Sequence, residues 1–392
     1  MSQIDRTEKI NRVGVIGGGQ LAWMMADAAE ALGIDLVVQT PKNSDPAAAR
    51  ASEVILAPID DAQATAQLAE RCDVITFENE FVDLTALGEL ERQGVRFRPK
   101  LSVLAPILDK YEQRCYLRSL GLPVPKFMAF DGTQLPPTRD LPSEKVVMKA
   151  RRHGYDGQGT AICGSRQTLL ATWERWGRPG VLLEEFIPFE RELAVMAARN
   201  QAGEVVFYPV VETQQEAQVC RRAIAPGDVT PEVKAQVEAI AHRLLSALDV
   251  VGIFGIELFL TPQGQVLVNE IAPRTHNSGH LTLNACNTSQ FEMHLRAVCD
   301  LPLPSPTLNC AGAVMVNLLG YEESEDDYEA KQQQLRAIPG AHLYLYWYGK
   351  NQSRPGRKMG HVTAIVQGVS GNALQQQCQE LAHQIESIWY PG

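Results

Sequence analysis

Glu257 and Glu270 sit inside two apolar runs, Ile256-Glu257-Leu258-Phe259 and Val268-Asn269-Glu270-Ile271, separated by a Thr-Pro-Gln-Gly turn at 261–264. The pattern predicts a hairpin from Phe254 to Ile271. With four turn residues, Leu260 pairs with Gln265 and Glu257 with Val268, so Glu270 becomes the diagonal neighbour of Glu257 on one face. Two carboxylates there repel each other and lose hydration unless a cation lies between them. Oxygen ligands suit magnesium, which would in turn hold nucleotide phosphates. The plain alternative is a pair of solvated carboxylates on an exposed face. A one-residue change in the turn would move Glu270 to the other face and separate the pair.

A second constellation concerns phosphate. Lys149 ends an apolar strand, and Arg151-Arg152-His153-Gly154-Tyr155-Asp156-Gly157-Gln158-Gly159 follows. Three glycines in six residues let backbone approach phosphate oxygens, with a lysine charge at the root of the loop. No Gly-Lys-Ser/Thr is present, so this is not a Walker A loop, and a plain surface hairpin fits the loop equally well. Glu184-Glu185-Phe186-Ile187 closes another apolar strand, with Glu192 shortly after. Carboxylates and free backbone groups there suit ribose hydroxyls and an adenine edge, although a structural role is as natural.

Gly17-Gly18-Gly19-Gln20-Leu21-Ala22 fits the G-x-G-x-x-A dinucleotide pattern between a strand and a helix. The second strand, however, ends Val37-Val38-Gln39-Thr40, without the carboxylate that would hold a ribose. The turn can still present backbone N–H groups to another anion, or serve only as a tight turn.

The elements that position these groups follow from periodicity. Short apolar strands at Arg12–Ile16, Ile34–Val38, Val54–Leu56 and Val74–Phe77 alternate with helical runs, which predicts a parallel sheet covered on both faces. A helix from Lys110 stops at Gly121-Leu122-Pro123, and Pro231 to Leu248 is amphipathic. Leu301 to Pro306 reads as a linker to a smaller unit with strands near 314–319, 342–348 and 361–366.

Several motifs occur together in order: Gly-Gly-Gly-Gln-Leu at 17–21, Gly154 to Gly159, Asn269-Glu270-Ile271-Ala272-Pro273-Arg274, His276-Asn277-Ser278-Gly279-His280, and Arg354-Pro355-Gly356-Arg357-Lys358-Met359-Gly360-His361. From about residue 12 to 366 the chain resembles the N5-carboxyaminoimidazole ribonucleotide synthases, ATP-dependent carboxylating ligases of the ATP-grasp superfamily. The resemblance implies an α/β protein with a doubly wound N-terminal domain (1–105), a two-part ATP-grasp unit (106–300, lid about 125–200) and a small C-terminal domain (301–392). It implies ATP and Mg2+ as cofactors, two ions per site with Mn2+ as a substitute, and a homodimer, while the polar stretch Met1 to Asn11, without the apolar core of a signal peptide, predicts a cytoplasmic location. Aminoimidazole ribonucleotide, bicarbonate and ATP would be its partners in purine synthesis.

Carried over by position, Lys110, Lys149 and Gly154, Tyr155, Asp156, Gly157, Gln158, Gly159 and Thr160 would hold ATP phosphates. Glu184, Glu185, Phe186, Ile187, Glu192 and Glu212 would hold adenosine, and Asn269 would stand beside the metal ligands Glu257 and Glu270. Gln20, Leu21, Glu78, Glu80, Asn277, Ser278, Lys350 and Arg357 would bind the ribonucleotide, joined by the catalytic Arg274, His276 and Lys358. Three positions depart from the family pattern: Ala22-Trp23, Thr160 and Thr213.

The formal charge of −10 over 392 residues argues against a broad nucleic-acid or membrane surface. No run approaches the roughly 20 apolar residues a bilayer requires. Eight cysteines without a C-x-x-C pair read as free thiols in a reducing compartment. The rivals are another ATP-grasp ligase, which would lack the terminal basic motif, a nicotinamide dehydrogenase, which uses only the first forty residues, and a non-catalytic nucleotide-binding regulator.

Overall fold

The computed structural model describes residues 9–132, 136–152, 154, 159–216, 218–339 and 341–391. Its first sheet is parallel and contains β1 (Arg12–Ile16), β2 (Asp35–Thr40), β3 (Glu53–Leu56) and β4 (Val74–Phe77) in the order β3-β2-β1-β4. Every β4 residue is buried, as expected of strands covered on both faces. The helix Gln20–Leu32 covers one face, and the helix Ala62–Ala69, capped by Asp61, covers the other.

The second sheet is antiparallel, with β5 (Phe127–Phe130), β6 (Val146–Ala150), β7 (Thr160–Cys163) and β8 (Val181–Glu185) ordered β5-β8-β6-β7. Its apolar face packs Phe130, Met148 and Leu183 against Leu169 and Trp173 of the helix Arg166–Arg175. Burying each such side chain contributes about 1.5–3 kcal/mol.

The third sheet holds β9 (Arg191–Arg199), β10 (Val205–Phe207), β11 (Val211–Glu216), β12 (Val219–Ala225), β13 (Gly252–Leu260), β14 (Val266–Ala272), β15 (Gly312–Leu319), β16 (His342–Trp347) and β17 (Lys358–Val366). The path runs β14-β13-β9-β11-β12-β15-β17-β16, with β10 beside β9. After 301–306 the chain therefore extends the existing sheet through the β12–β15 pairing and builds no sheet of its own among the described residues. That continuity carries Lys358, at the start of β17, toward the carboxylates of β13 and β14. The helix Pro231–Ala247, with Thr230 as its cap and Pro231 in its first turn, buries Val237, Leu244 and Leu245 beneath β9, β13 and β14.

Among the described residues no helix is long and apolar enough to cross a membrane. Among the described residues no disulfide links any of the eight cysteines.

Candidate active site

The three sheets meet around one cavity of about 830 Å³. It is lined by Gln20, Leu21, Glu78 and Glu80 from the first sheet and its loops. The second sheet supplies Lys149, Thr160, Glu184, Glu185, Phe186 and Ile187, with Gly154 beside them. From the third sheet come Glu192, Glu212, Glu257, Asn269, Glu270, Arg274, His276, Asn277 and Lys358, and Lys110 adds a charge from its helix.

The hairpin β13–β14 differs from the expected register. Leu260 pairs with Val266 and Leu258 with Val268, replacing the expected Leu260–Gln265 and Glu257–Val268 pairs. Continued regularly, this register would set Glu257 opposite Asn269 and turn Glu270 to the far face. A bulge leaves Asn269 unpaired and puts Glu270 directly opposite Glu257, so both carboxylates share one face. The two deviations cancel.

Asn269, the bulged residue, then links the charges. Its Nδ2 donates to Glu257 Oε2 at 3.3 Å, and its Oδ1 accepts from Lys149 Nζ at 3.1 Å. Lys110 Nζ lies 2.8 Å from Glu270. Burial, and then the Glu270 charge, push Glu257 up to about 7. Burial alone would also raise Glu270, but Lys110 and Lys149 outweigh it and lower its pKa. Glu192 is pushed up to about 7, first by burial and then by Glu257.

Burial and the facing carboxylate both disfavour the Glu257 charge, and a divalent cation would relieve both. Among the described residues no group of three His, Cys, Asp or Glu side chains could hold a metal alone. Two carboxylates with the remaining positions left to phosphate and water are the set that suits magnesium, so these residues fit the ion.

Lys149 reaches Glu184 Oε2 at 2.7 Å. Glu184 also pairs with Arg114, whose other nitrogens donate to the carbonyls of Val268, at 3.1 Å, and Asn269. Burial would raise Glu184, but Arg114 and Lys149 prevail and hold it at about 2. Arg114 is a site residue that sequence reasoning missed. Its signal was its position four residues after Lys110, which places both on one helix face.

Glu184 thereby gives a pH prediction. Its folded pKa of about 2 lies below the ordinary 4.5, so its stabilisation is fully present above pH 4.5 and disappears as pH falls through 2. The difference is worth about 3 kcal/mol. Urea unfolding at pH 6 and at pH 3 should show a loss of stability that shrinks in Glu184→Gln; an undiminished loss would place the sensitivity elsewhere.

The glycines at 17–19 serve a different anion from a dinucleotide. Gly19 and Leu21 donate their backbone N–H groups to the Glu78 carboxylate at 2.5 and 3.0 Å. A Cβ on Gly19 would lie 2.5 Å from Glu78 Oε1, and one on Gly17, at φ +118°, 2.6 Å from Oε2. The cradle is filled by the protein's own side chain. Glu80 accepts from Arg274 Nε at 2.8 Å.

His276 stands 3.5 Å from Glu257, with Ser278 Oγ 2.8 Å from its Nδ1. A Cβ on Gly255 would meet His276 Cβ at 2.4 Å, so the bare β13 backbone makes room for the ring. Gly255→Ala should cost about 1–3 kcal/mol of overpacking and displace His276. Thermal unfolding and turnover measured together check this; an unchanged variant on both counts would contradict the contact.

Other expected residues fall around the cavity instead of on its wall. Ser278 is buried behind His276. Lys350 Nζ donates to Gln20 Oε1 at 2.6 Å and to the Lys358 carbonyl at 2.7 Å, bracing two lining residues. Arg357 is not brought to the cavity, and its Nη1 donates to the Gln352 carbonyl at 2.6 Å. Gly159 lies at the root of the loop, where its carbonyl accepts from Ala150 N. Tyr155, Asp156, Gly157 and Gln158 lie outside the described residues. Ile162, Phe259 and Gln214 also form part of the wall, and no motif singles them out.

This architecture is that of an ATP-grasp ligase. The ATP-grasp domain model matches residues 115–291, the ribonucleotide synthetase preATP-grasp domain residues 10–107, and the phosphoribosylaminoimidazole carboxylase C-terminal domain residues 313–376. An N5-carboxyaminoimidazole ribonucleotide synthase of Synechococcus elongatus is 54% identical over 97% of this chain and 96% of its own. One of Synechocystis sp. is 51% identical over 98% and 99%. A crystal structure of the Aspergillus clavatus N5-carboxyaminoimidazole synthase with ADP and 5-aminoimidazole ribonucleotide superposes with a TM-score of 0.87 at 29% identity, covering 96% of this chain and 99% of that one. The chain belongs to the N5-carboxyaminoimidazole ribonucleotide synthase family.

Proposed function

We propose that the protein uses ATP to carboxylate 5-aminoimidazole ribonucleotide with bicarbonate, giving N5-carboxyaminoimidazole ribonucleotide, ADP and phosphate. One observation carries this reading. A single cavity joins the Glu257–Glu270 pair and its lysines to Arg274, His276 and Lys358. Nucleotide phosphates and a second, anionic substrate can therefore meet within it.

In this reading the backbone and side chains at 184–187 seat adenosine, and Lys110 and Lys149 face the phosphates. Bound between Glu257 and Glu270, Mg2+ would neutralise phosphate charge as it shifts toward ADP. A bicarbonate oxygen attacks the γ-phosphorus, ADP leaves, and carboxyphosphate forms. The exocyclic amine then attacks its carbon; the C–O bond breaks, phosphate departs and the amine loses a proton. Arg274 and Lys358 supply positive charge for these anions. The Ser278 hydroxyl lies at His276 Nδ1, with the Ser278 backbone N–H a further 3.5 Å donor. That network leaves the His276 proton on Nε2, where it can support developing negative charge. Seating both reactants in one cavity shortens the path of an intermediate that water would destroy. Magnesium, supported by the facing carboxylates, a homodimeric state, which rests on the family resemblance, and a cytoplasmic location, which rests on the sequence, belong to the same reading.

The route has an isotopic signature. With 18O-labelled bicarbonate, one labelled oxygen should appear in the released phosphate, because the bridging oxygen stays on phosphorus when the C–O bond breaks. Unlabelled phosphate alongside carboxylated product would rule the carboxyphosphate route out.

A further inference from the structure

The segment 276–280 puts His276 and His280 on the cavity wall, and one side chain from a different element grips it. Gln290, the first residue of the helix Gln290–Val298, is fully buried. Its Oε1 accepts from His276 N at 2.9 Å, and its Nε2 donates to the His276 carbonyl at 2.8 Å. The two bonds to one residue's backbone determine which end of the amide is oxygen and which nitrogen. The same Nε2 lies 3.0 Å from His280 Nδ1. Since that amide nitrogen is a donor, His280 Nδ1 accepts, and the imidazole carries its proton on Nε2.

The surroundings leave little freedom. A Cβ on Gly279 would meet Gln290 Oε1 at 2.6 Å, so the loop closes directly onto the amide. Gln290 N donates to Thr282 Oγ1 at 2.9 Å, and that hydroxyl donates to the Gly279 carbonyl at 2.6 Å. Burial, reinforced by His361 and Lys358, keeps the His280 ring neutral. Among the described residues its Nε2 is buried without a hydrogen-bond partner.

We propose that Gln290 is a positioning residue for the carboxylation site: its amide fixes the His276 backbone, whose ring stands 3.5 Å from Glu257, and holds His280 as the Nε2–H tautomer. The proposal rests on the functional reading above only in assigning His276 to the reacting end of the cavity. Gln290 is buried behind the cavity wall, so it acts through the two histidines. A carboxylate of the same shape could accept from His276 N, but it could not donate to the His276 carbonyl or to His280 Nδ1.

The test combines NMR of full-length protein labelled with 15N-histidine and steady-state kinetics. The His280 signals, assigned by their loss in His280→Phe, should show a protonated Nε2 and a bare Nδ1 in the wild type. In Gln290→Glu, kcat/KM for aminoimidazole ribonucleotide should fall roughly tenfold to a hundredfold, the scale of an ångström-level misplacement, with KM for ATP within about twofold. Gln290→Met should show the same split. A His280 ring protonated on Nδ1 in the wild type would overturn the proposal, as would unchanged kcat/KM for aminoimidazole ribonucleotide in Gln290→Glu or a tenfold or larger rise in KM for ATP. The tautomer result holds for folded wild-type protein, so it decides the proposal even if the assigned substrate were wrong.

Discussion

Glu270→Gln should leave the fold intact and cut kcat by roughly 10²–10³-fold, the scale of removing one preorganised charge-stabilising group. The substitution keeps the shape and an oxygen for Lys110, now 2.8 Å from the carboxylate, but removes the charge. Because Glu270 stands directly opposite Glu257, its neutralisation also removes the repulsion that helps push Glu257 up. Against that relief stands the lost attraction of Lys110 and Lys149, which lowers the Glu270 pKa and so contributes to stability, and thermal stability should fall modestly. Phosphate positioning should suffer most, since a metal would keep only one of its two carboxylates. ATP affinity should fall much less than turnover, because the adenosine end of the cavity is untouched. Parallel measurement of kcat and equilibrium ATP binding separates the two effects. Near-normal turnover would contradict the metal assignment.

Arg114→Leu should be the most destabilising single substitution around the cavity, by about 3–5 kcal/mol, the usual cost of removing one partner from a buried ion pair. The Arg114 and Glu184 side chains are 2% and 3% exposed. Without the guanidinium, Glu184 depends on Lys149 alone, and the carbonyls of Val268 and Asn269 lose donors inside the protein. Those carbonyls flank the bulge that aligns the carboxylate pair, so activity should fall along with stability. Arg114→Lys should rescue little, because one ammonium cannot reach a carboxylate and two carbonyls together. The double variant Arg114→Leu/Glu184→Leu should recover only part of the loss, since the stranded carboxylate is gone but Lys149 loses its 2.7 Å partner. Denaturant titration of the three variants checks this; a loss below about 1 kcal/mol in Arg114→Leu would show the pair to be dispensable.

Much of this arrangement is legible in the residues themselves. Apolar runs mark β1 to β4 and β13, and the ordered motifs point to Glu257, Glu270, Lys149, Arg274, His276 and Lys358, which meet in one cavity. The β13–β14 register is harder to read, because two one-residue deviations offset each other and neither leaves a compositional mark. Asn269 is expected beside the metal ligands, yet its role as the bulged residue emerges only when the strands pair. The glycines at 17–19 look like a ligand cradle because the same backbone donors suit any carboxylate or phosphate. That the anion is Glu78, about sixty residues away, is a tertiary fact. Gln290 is hidden for the same reason, as a polar residue at a helix start with partners in another segment. The C-terminal strands fall near their expected positions, but their continuation of the central sheet depends on β12–β15 pairing, which local pattern does not encode.

The most direct test of the central claim is ADP release from Mg-ATP, measured with and without aminoimidazole ribonucleotide and bicarbonate. Strong stimulation by the ribonucleotide is expected, with carboxylated product only when bicarbonate is present. Release that ignores the ribonucleotide but responds to formate with glycinamide ribonucleotide would keep the fold and contradict the substrate.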